Sequence, residues 1–473
     1  MATAAVFDLD RTLISGSSTP VFQRHLARAG LAGSESIPLG EAFFGFYERF
    51  GENWIMMQPA RLGARAAQGW AVAEVADTMA AAADELAGQL QPFAQAIIDE
   101  HRAAGRKLIL ATTSPDAFVR PLAERLGFDD AVATRWEQHD GSYTGQLDGP
   151  FLWGRAKLDA VRDWAEANSV RLSASYAYSD SYFDAPLLSE VGHPVAIKPD
   201  ISLRALAAVK GWPVRHLDVA DGVAKVAGLE LQEWTRPFMR PELAAPMASF
   251  EFTGVDNIPS TGSAIVVFNH RSYFDPSAVG LLAAKAGRNV RSLGKKEVFD
   301  APLIGTLAKW AGGIRVERAS GSDEPLDKAA EALAGGELLM MAPQGTIPRG
   351  PAFFDPELKG RWGAARLAAV TKAPVISVGL WGTEKVWPRS ARLPNVALRD
   401  RPTITVTVGE PVPLTYADPD IDTKAIMAAI SELLPPEARE HRTPTREELR
   451  RTFPPGYDGD PTAEVDRRPG TDT

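Results

Sequence analysis

Residues 263–276 read SAIVVFNHRSYFDP, and this stretch organises the reading of the rest of the chain. Ala264 to Phe268 is β-branched and apolar enough for a buried strand, Asn269 and His270 leave it, and Asp275-Pro276 opens a helix at DPSAVGLLAAKAG. His270 is therefore expected at a strand-to-helix turn, with Asp275 five residues further on. A turn of that length can fold back so that the Asp275 carboxylate accepts a hydrogen bond from one imidazole nitrogen and leaves the other free as a base. With no serine in the pair, the nucleophile becomes a hydroxyl of the substrate. The plain structural alternative is a histidine packed at a strand end and an aspartate capping a helix, and the spacing alone does not separate the two.

Downstream, GKKEVFDAPLIG (294–305), GGIRVER (312–318), APQGTIPRG (342–350) and APVISVGLWG (373–382) follow in order. Together with the first stretch they resemble the glycerolipid acyltransferase family over residues 230–435. The likeness is to the 1-acylglycerol-3-phosphate (lysophosphatidate) acyltransferases, whose ordered blocks are NHxxxxD, G-x-I-F-[IV]-[DE]-R, [FV]-P-E-G-T-R and a V-P-[IV]-[IV]-P-V-like strand. The resemblance implies that His270 is the base, Asp275 its partner, and Asn269, Lys295, Arg315, Arg318, Gln344, Gly345, Thr346 and Arg349 substrate-binding residues, with Lys296 a further phosphate candidate. It also implies acyl-CoA or acyl carrier protein as donor, lysophosphatidate as acceptor and phosphatidate as product. The chain departs from the pattern in two places. Gln344 stands for the glutamate of the third block and Arg349 lies three residues past Thr346, where it is read as the substitute arginine; Arg315 stands where an aromatic is usual.

The opening residues tell a second story. Ala4 to Leu9 reads as a buried strand, and Asp8 and Asp10 at its end project in one direction because strand side chains alternate. Two carboxylates on one face suggest a metal. FDLDRTL is similar to the D-x-D-x-T signature of the haloacid-dehalogenase-like phosphohydrolases, and KLILATTSP, GRAK and SYAYSDSYFDAPLL match the remaining motifs in order. By this resemblance Asp8 is the nucleophile, Asp10 the general acid and base, Thr112 and Lys157 bind phosphate, and Asp8, Asp10, Asp180 and Asp184 hold Mg²⁺. Ser179 replaces the usual glycine. The alanine-rich run VAEVADTMAAAADELAGQL has helical spacing and resembles the helical cap of phosphoserine-phosphatase-like members, subfamily IB.

At 473 residues the chain is long enough for two or three domains, and its 45% apolar and 23% charged residues are those of an ordinary globular protein. The absence of cysteine excludes disulfides and thiol nucleophiles and fits a reducing, cytoplasmic location. No stretch approaches the roughly 18 apolar residues of a membrane span, so membrane contact is expected to be peripheral. A net charge of −9 argues against nucleic acid as partner, although basic residues recur between Arg288 and Arg366. The expected organisation is α/β throughout. A Rossmann-like haloacid-dehalogenase-type domain (1–217) carries a helical cap at about 15–100, and a segment at 218–250 either meets a membrane or packs. An α/β acyltransferase domain (251–440) and a polar, flexible tail (441–473) follow. The functional expectation is a lysophosphatidate acyltransferase fused to a Mg²⁺-dependent phosphohydrolase. Two alternatives stay open: a phosphatase of phosphoserine or lipid phosphate whose second domain serves another acceptor, or a non-catalytic, regulatory first domain.

Overall fold

Alternation along the strand Ala4–Phe7 (β1) sets the layering of the first half of the chain. Ala5 and Phe7 project into one apolar cluster and Ala4 and Val6 into another, so the whole strand is buried. Such a strand needs parallel neighbours and helices on both faces. The computed structural model, which describes residues 2–31, 63–220, 223, 225–226, 228–295, 300, 312–316, 324–396 and 398–462, has that form. After β1 come β2 (Lys107–Pro115) and β3 (Asp130–Thr134), a hairpin of β4 (Trp136–His139) and β5 (Ser142–Leu147), then β6 (Tyr176–Ser179), β7 (His193–Ile197) and β8 (Val214–Arg215). Six of them form a parallel sheet in the order β3-β2-β1-β6-β7-β8. The chain's direction of travel across the sheet reverses at β1 and β6, the place where open α/β sheets bind ligands. The alanine-rich run forms the helix Val72–Ala87, with Val75, Met79, Ala82, Ala83 and Leu86 turned inward. Residues 32–62 of the expected cap lie outside the described residues.

Beneath this sheet His101 is fully buried, its Nε2 2.7 Å from the Tyr178 hydroxyl and its Nδ1 3.1 Å from an Arg106 guanidinium nitrogen. Arg106 can only donate, so Nδ1 accepts and Nε2 carries the hydrogen. Burial, and then the charges of Arg106 and Arg215, push the imidazole down to about 4. An unfolded histidine takes its proton near pH 6.5, so this group's contribution is complete above that value and is lost as pH falls toward 4. The expected loss is at most about 3 kcal/mol. Urea midpoints followed from pH 7 to 4.5 measure it, and a slope unaltered in His101→Gln would contradict the assignment.

Contacts divide the chain into two compact units, Met1–Asp221 and Gly222–Thr473. The second begins with a short hairpin, β9 (Lys225–Val226) and β10 (Leu229–Glu230), and continues through β11 (Ser249–Thr253), β12 (Ala264–Phe268), β13 (Val290–Lys295), β14 (Gly313–Val316), β15 (Leu338–Met341), β16 (Val375–Trp381) and β17 (Thr403–Pro411). Seven of these make one sheet, β11-β17-β16-β12-β15-β13-β14, parallel except where β16 meets β17. β12 is wholly buried at its centre. Its carboxyl end lies between those of β15 and β16, again at a reversal of strand order.

The segment expected either to meet a membrane or to pack does pack, in large part. Arg291, 2% exposed, forks onto both oxygens of Glu230 at 2.5 and 2.8 Å and reaches Glu337 at 2.7 Å, while Gln232 brackets the backbone of Val290. Burial raises the Glu230 carboxyl but the guanidinium outweighs it, holding the group below its ordinary value. Glu230→Ala strands a buried cation and is expected to cost about 3–5 kcal/mol, read from denaturant midpoints. Met239, Met247 and Phe250 join the apolar core, whereas Trp234, Phe238 and Leu243 remain 49%, 68% and 62% exposed.

Part of the expected flexible tail, within residues 445–457, is packed, and residues 463–473 lie outside the described residues. Thr445 and Glu448 form a capping box that starts the helix Arg446–Arg451, Phe453 is 1% exposed and stacked on Tyr457, and the Thr452 hydroxyl accepts from the Gly350 amide at 2.7 Å. Two apolar anchors, Leu449 and Phe453, hold a segment whose composition reads as mobile.

Candidate active sites

In the first unit Asp8 leaves β1 with its amide bonded to the Tyr178 carbonyl of the neighbouring strand. The chain then turns through Arg11, which takes a left-handed backbone (φ 59) held by Gln91, whose side-chain amide donates to the carbonyls of Thr12 and Arg11. Such a conformation is costly for a residue with a Cβ and persists only where surroundings enforce it. Its result is an ion pair of Arg11 with Asp180 at 3.1 Å. Lys157, 1% exposed, comes from the first turn of the helix Arg155–Ala167 and bridges Asp8 at 3.0 Å and Asp184 at 2.8 Å. Ser179 donates to the same Asp184 oxygen at 2.7 Å, so the residue that replaces the usual glycine adds a fixed donor to the loop. Asp10 accepts from the Ser18 amide at 2.5 Å, and its removal from water pushes its carboxyl above the ordinary range. The Thr112 hydroxyl, buried, lies 3.3 Å from the Ser114 amide.

In the second unit His270 follows the end of β12, and the turn does fold back. Its Nδ1 lies 2.8 Å from Asp275 Oδ2, an oxygen that also accepts from the amides of Arg271 and Ser272 at 2.7 Å each. The other oxygen accepts from the Thr383 hydroxyl at 2.6 Å. Every partner of the fully buried Asp275 is thus a donor, which fixes the hydrogen of the ring on Nδ1 and leaves the lone pair on Nε2. The imidazole is 21% exposed, enough for a substrate to reach Nε2. The corner after β16 holds this turn: Ser272 donates to the Trp387 carbonyl at 2.6 Å, and Arg271 stacks between Phe353 and Trp381, both at 4.3 Å, with Glu384 at 3.4 Å. Gly382 makes the corner possible, since a Cβ there would meet the Thr403 carbonyl oxygen at 2.2 Å.

Comparison with known proteins assigns the two halves. A family model described as haloacid dehalogenase-like hydrolase matches residues 5–189, and one described as acyltransferase matches residues 249–381. The inhibition of morphological differentiation protein of Streptomyces azureus is 37% identical over 216 residues, 45% of this chain and 77% of that protein. The chain belongs to the haloacid dehalogenase-like hydrolase family. Its second unit is an acyltransferase domain. A phosphoserine phosphatase of Mycobacterium tuberculosis is 36% identical over 229 residues, 48% of this chain and 74% of its own. Among solved structures, a Bordetella pertussis protein of unknown function is 30% identical with a TM-score of 0.41, covering 46% of this chain and 99% of that one. The 1-acyl-sn-glycerophosphate acyltransferase of Thermotoga maritima is 22% identical with a TM-score of 0.34, covering 42% and 77%.

Within the hydrolase unit the structure gathers Asp8, Lys157 and Asp184, and pairs Asp180 with Arg11, at the carboxyl ends of β1 and β6. The expected four-carboxylate metal set is not assembled: among the described residues no three acidic or histidine side chains stand where they could hold an ion. Asp184 is committed through one oxygen to Lys157 and Ser179. Its other oxygen is buried without a partner. Mg²⁺ is ordinarily held by one or two carboxylates, with water and substrate phosphate completing its shell, and Asp8 and Asp180, following the adjoining strands β1 and β6, are the carboxylates that would hold it. A separate cavity of about 520 Å³, lined by Tyr176, His193, Trp212 and Lys210 among others, opens at the opposite strand ends and includes none of these residues.

Two residues expected to bind substrate in the acyltransferase domain do something else. Asn269 is 1% exposed and exchanges both its bonds with the backbone of Leu380, at 2.9 and 2.7 Å, so it ties β12 to β16. Gln344 is 3% exposed and its Oε1 accepts from the His270 amide at 2.6 Å, so the uncharged carboxamide steadies this turn. Gly345 and Thr346 form the exposed turn beside it, and Arg349 begins the short helical segment Gly350–Phe353. Lys295 and Arg315 have their backbones in β13 and β14, while Lys296 and Arg318 lie outside the described residues. Sequence reading missed Arg271 and Thr383, which support the His270–Asp275 pair. Arg271 stands inside the NHxxxxD block, but no local pattern announces Thr383.

Proposed function

We propose that the acyltransferase domain moves an acyl group from a thioester, acyl-CoA or acyl carrier protein, to the free hydroxyl of 1-acyl-sn-glycerol-3-phosphate, and that the hydrolase domain cleaves a phosphate monoester. The observation that carries the first half is the His270–Asp275 pair, with Asp275 saturated by donors and Nε2 open to substrate. His270 Nε2 takes the hydroxyl proton as the oxygen attacks the thioester carbonyl; the new C–O bond forms, the C–S bond breaks, and the proton passes from His270 to the departing thiolate. In the hydrolase domain Asp8 attacks phosphorus and Asp10 supplies a proton to the departing alkoxide, then receives one from the water that releases phosphate. Lys157 neutralises charge on the Asp8 side and Asp184 holds Lys157 in place. Mg²⁺, held by Asp8 and Asp180, would supply further charge neutralisation on the phosphoryl oxygens. Purified protein supplied with lysophosphatidate and acyl-CoA tests the reading; a chain that forms no phosphatidate removes it.

A lipid acceptor calls for a lipid surface. Among the described residues no helix is long and apolar enough to cross a membrane. Trp234, Phe238 and Leu243, exposed beside Arg236 and Arg240, supply apolar and cationic groups suited to peripheral contact with an anionic membrane, on the cytoplasmic side if the cysteine-free composition reflects a reducing location. Co-sedimentation with vesicles containing anionic lipid is expected for the wild type and reduced at least about threefold in Trp234→Ala/Phe238→Ala; equal binding would place the contact elsewhere.

A further inference from the structure

Partly buried arginines in this protein have partners. Arg11 pairs with Asp180, Arg120 with Asp116 and Asp130, Arg271 with Glu384, and Arg291 with Glu230 and Glu337. Arg361 does not. Its Nε is buried without a hydrogen-bond partner, as are those of Arg271, Arg291 and Arg389, but unlike theirs its guanidinium makes no hydrogen bond or ion pair among the described residues. A cation taken partly from water without compensation is costly, and such a group in a native structure calls for an explanation, the charge of a bound ion or ligand among them.

The surroundings say which ligand it would meet. The Arg361 amide donates to the Pro343 carbonyl at 2.8 Å, and its side chain runs along Gly345, where an added Cβ would lie 3.2 Å from Arg361 Cδ and Nε. Between these two contacts stands Gln344, the residue that holds the His270 amide. Gly360, the preceding residue, is packed so tightly that a Cβ there would meet Met427 Sδ at 2.8 Å, which fixes the backbone that carries Arg361. An unpaired guanidinium on a fixed backbone therefore flanks the exposed Gly345-Thr346 turn next to the proposed base. Arg349, the cation that sequence reading placed in this role, already has an interaction of its own.

We propose that Arg361 binds a phosphoryl group of the acyl-transfer substrates. The claim rests on the acyl-transfer reading of this domain. Its planar donors suit two oxygens of one phosphate, and the flanking turn contributes no competing carboxylate. The phosphate belongs either to the acceptor or to the coenzyme A portion of the donor, and the assay separates them. Wild type, Arg361→Met and Arg361→Lys are compared with lysophosphatidate against neutral monoacylglycerol as acceptor, and with acyl-CoA against acyl-pantetheine as donor. Arg361→Met is expected to lower kcat/KM roughly 10- to 100-fold for the phosphate-bearing member of one pair only, with partial recovery in Arg361→Lys. A loss confined to the acceptor pair, or to the donor pair, supports the proposal and names the source. No loss, or the same loss in all combinations, overturns it.

A second readout does not need turnover. Because the wild-type cation is unpaired, Arg361→Met is expected to leave the melting temperature of the full chain unchanged or raise it, whereas a residue that served only structure would lower it. Inorganic phosphate titrated calorimetrically into both proteins should show one binding event fewer in Arg361→Met, the hydrolase site contributing equally to each. Identical isotherms would overturn the proposal even if wild type transfers no acyl group, an outcome that would by itself count only against the acyl-transfer reading.

Discussion

His270→Ala is expected to lower acyl transfer by about 10²- to 10⁴-fold, the range ordinarily supplied by a positioned general base. The variant should fold. Asp275 keeps three donors, the amides of Arg271 and Ser272 and the Thr383 hydroxyl, so removing the ring does not leave its carboxylate unsatisfied. The imidazole is also the most solvent-accessible member of the group, which limits the cavity its removal creates. Phosphate-ester hydrolysis in the same preparation is the internal control and should be unchanged. Transfer at the wild-type rate would show that proton removal is not this residue's task.

The second large effect is at Asp8. Asp8→Asn replaces an anionic nucleophile with a neutral amide of the same shape and is expected to reduce Mg²⁺-dependent hydrolysis of p-nitrophenyl phosphate by about 10³-fold or more. Lys157 loses one partner but keeps Asp184 at 2.8 Å, so the buried ammonium is not stranded and the melting temperature should move little. The same assay in wild type reads Asp10. Burial raises its carboxyl above the usual range, which keeps the proton needed by the leaving group to a higher pH than an exposed aspartate would. Hydrolysis should therefore fall as pH rises past that raised value. A wild-type chain with no hydrolysis, or an Asp8→Asn variant with full hydrolysis, would return the first domain to a regulatory role.

Both candidate reactive groups are readable in the sequence because their signal is local. Asp8 ends an apolar strand, His270 and Asp275 are five residues apart across a strand-to-helix turn, and the periodicity of the intervening segments fixes which chain ends carry them. What failed was direction. Asn269 precedes the proposed base and Gln344 stands in the third motif block, which suggests substrate contact, yet both are buried, Asn269 bonding the backbone of Leu380 and Gln344 the amide of His270. A carboxamide serves a ligand or a backbone equally well, so residue type alone cannot choose. The tail misled for a related reason: its polar composition hid two apolar side chains whose burial depends on a surface supplied by residues far away in the chain.

The sequence by itself determined the α/β class of both units and the order of their motifs, and its resemblances named Asp8 and His270 as the candidate nucleophile and base. Only the tertiary structure decided what supports them. Thr383 reaches Asp275 across 108 positions, and Lys157 reaches Asp8 across 149. Arg361 comes to lie against Gly345 because the Pro343 carbonyl holds its backbone there. Contacts of that kind are created when parallel strands distant along the chain bring their carboxyl ends together, and no pattern within a short window encodes them.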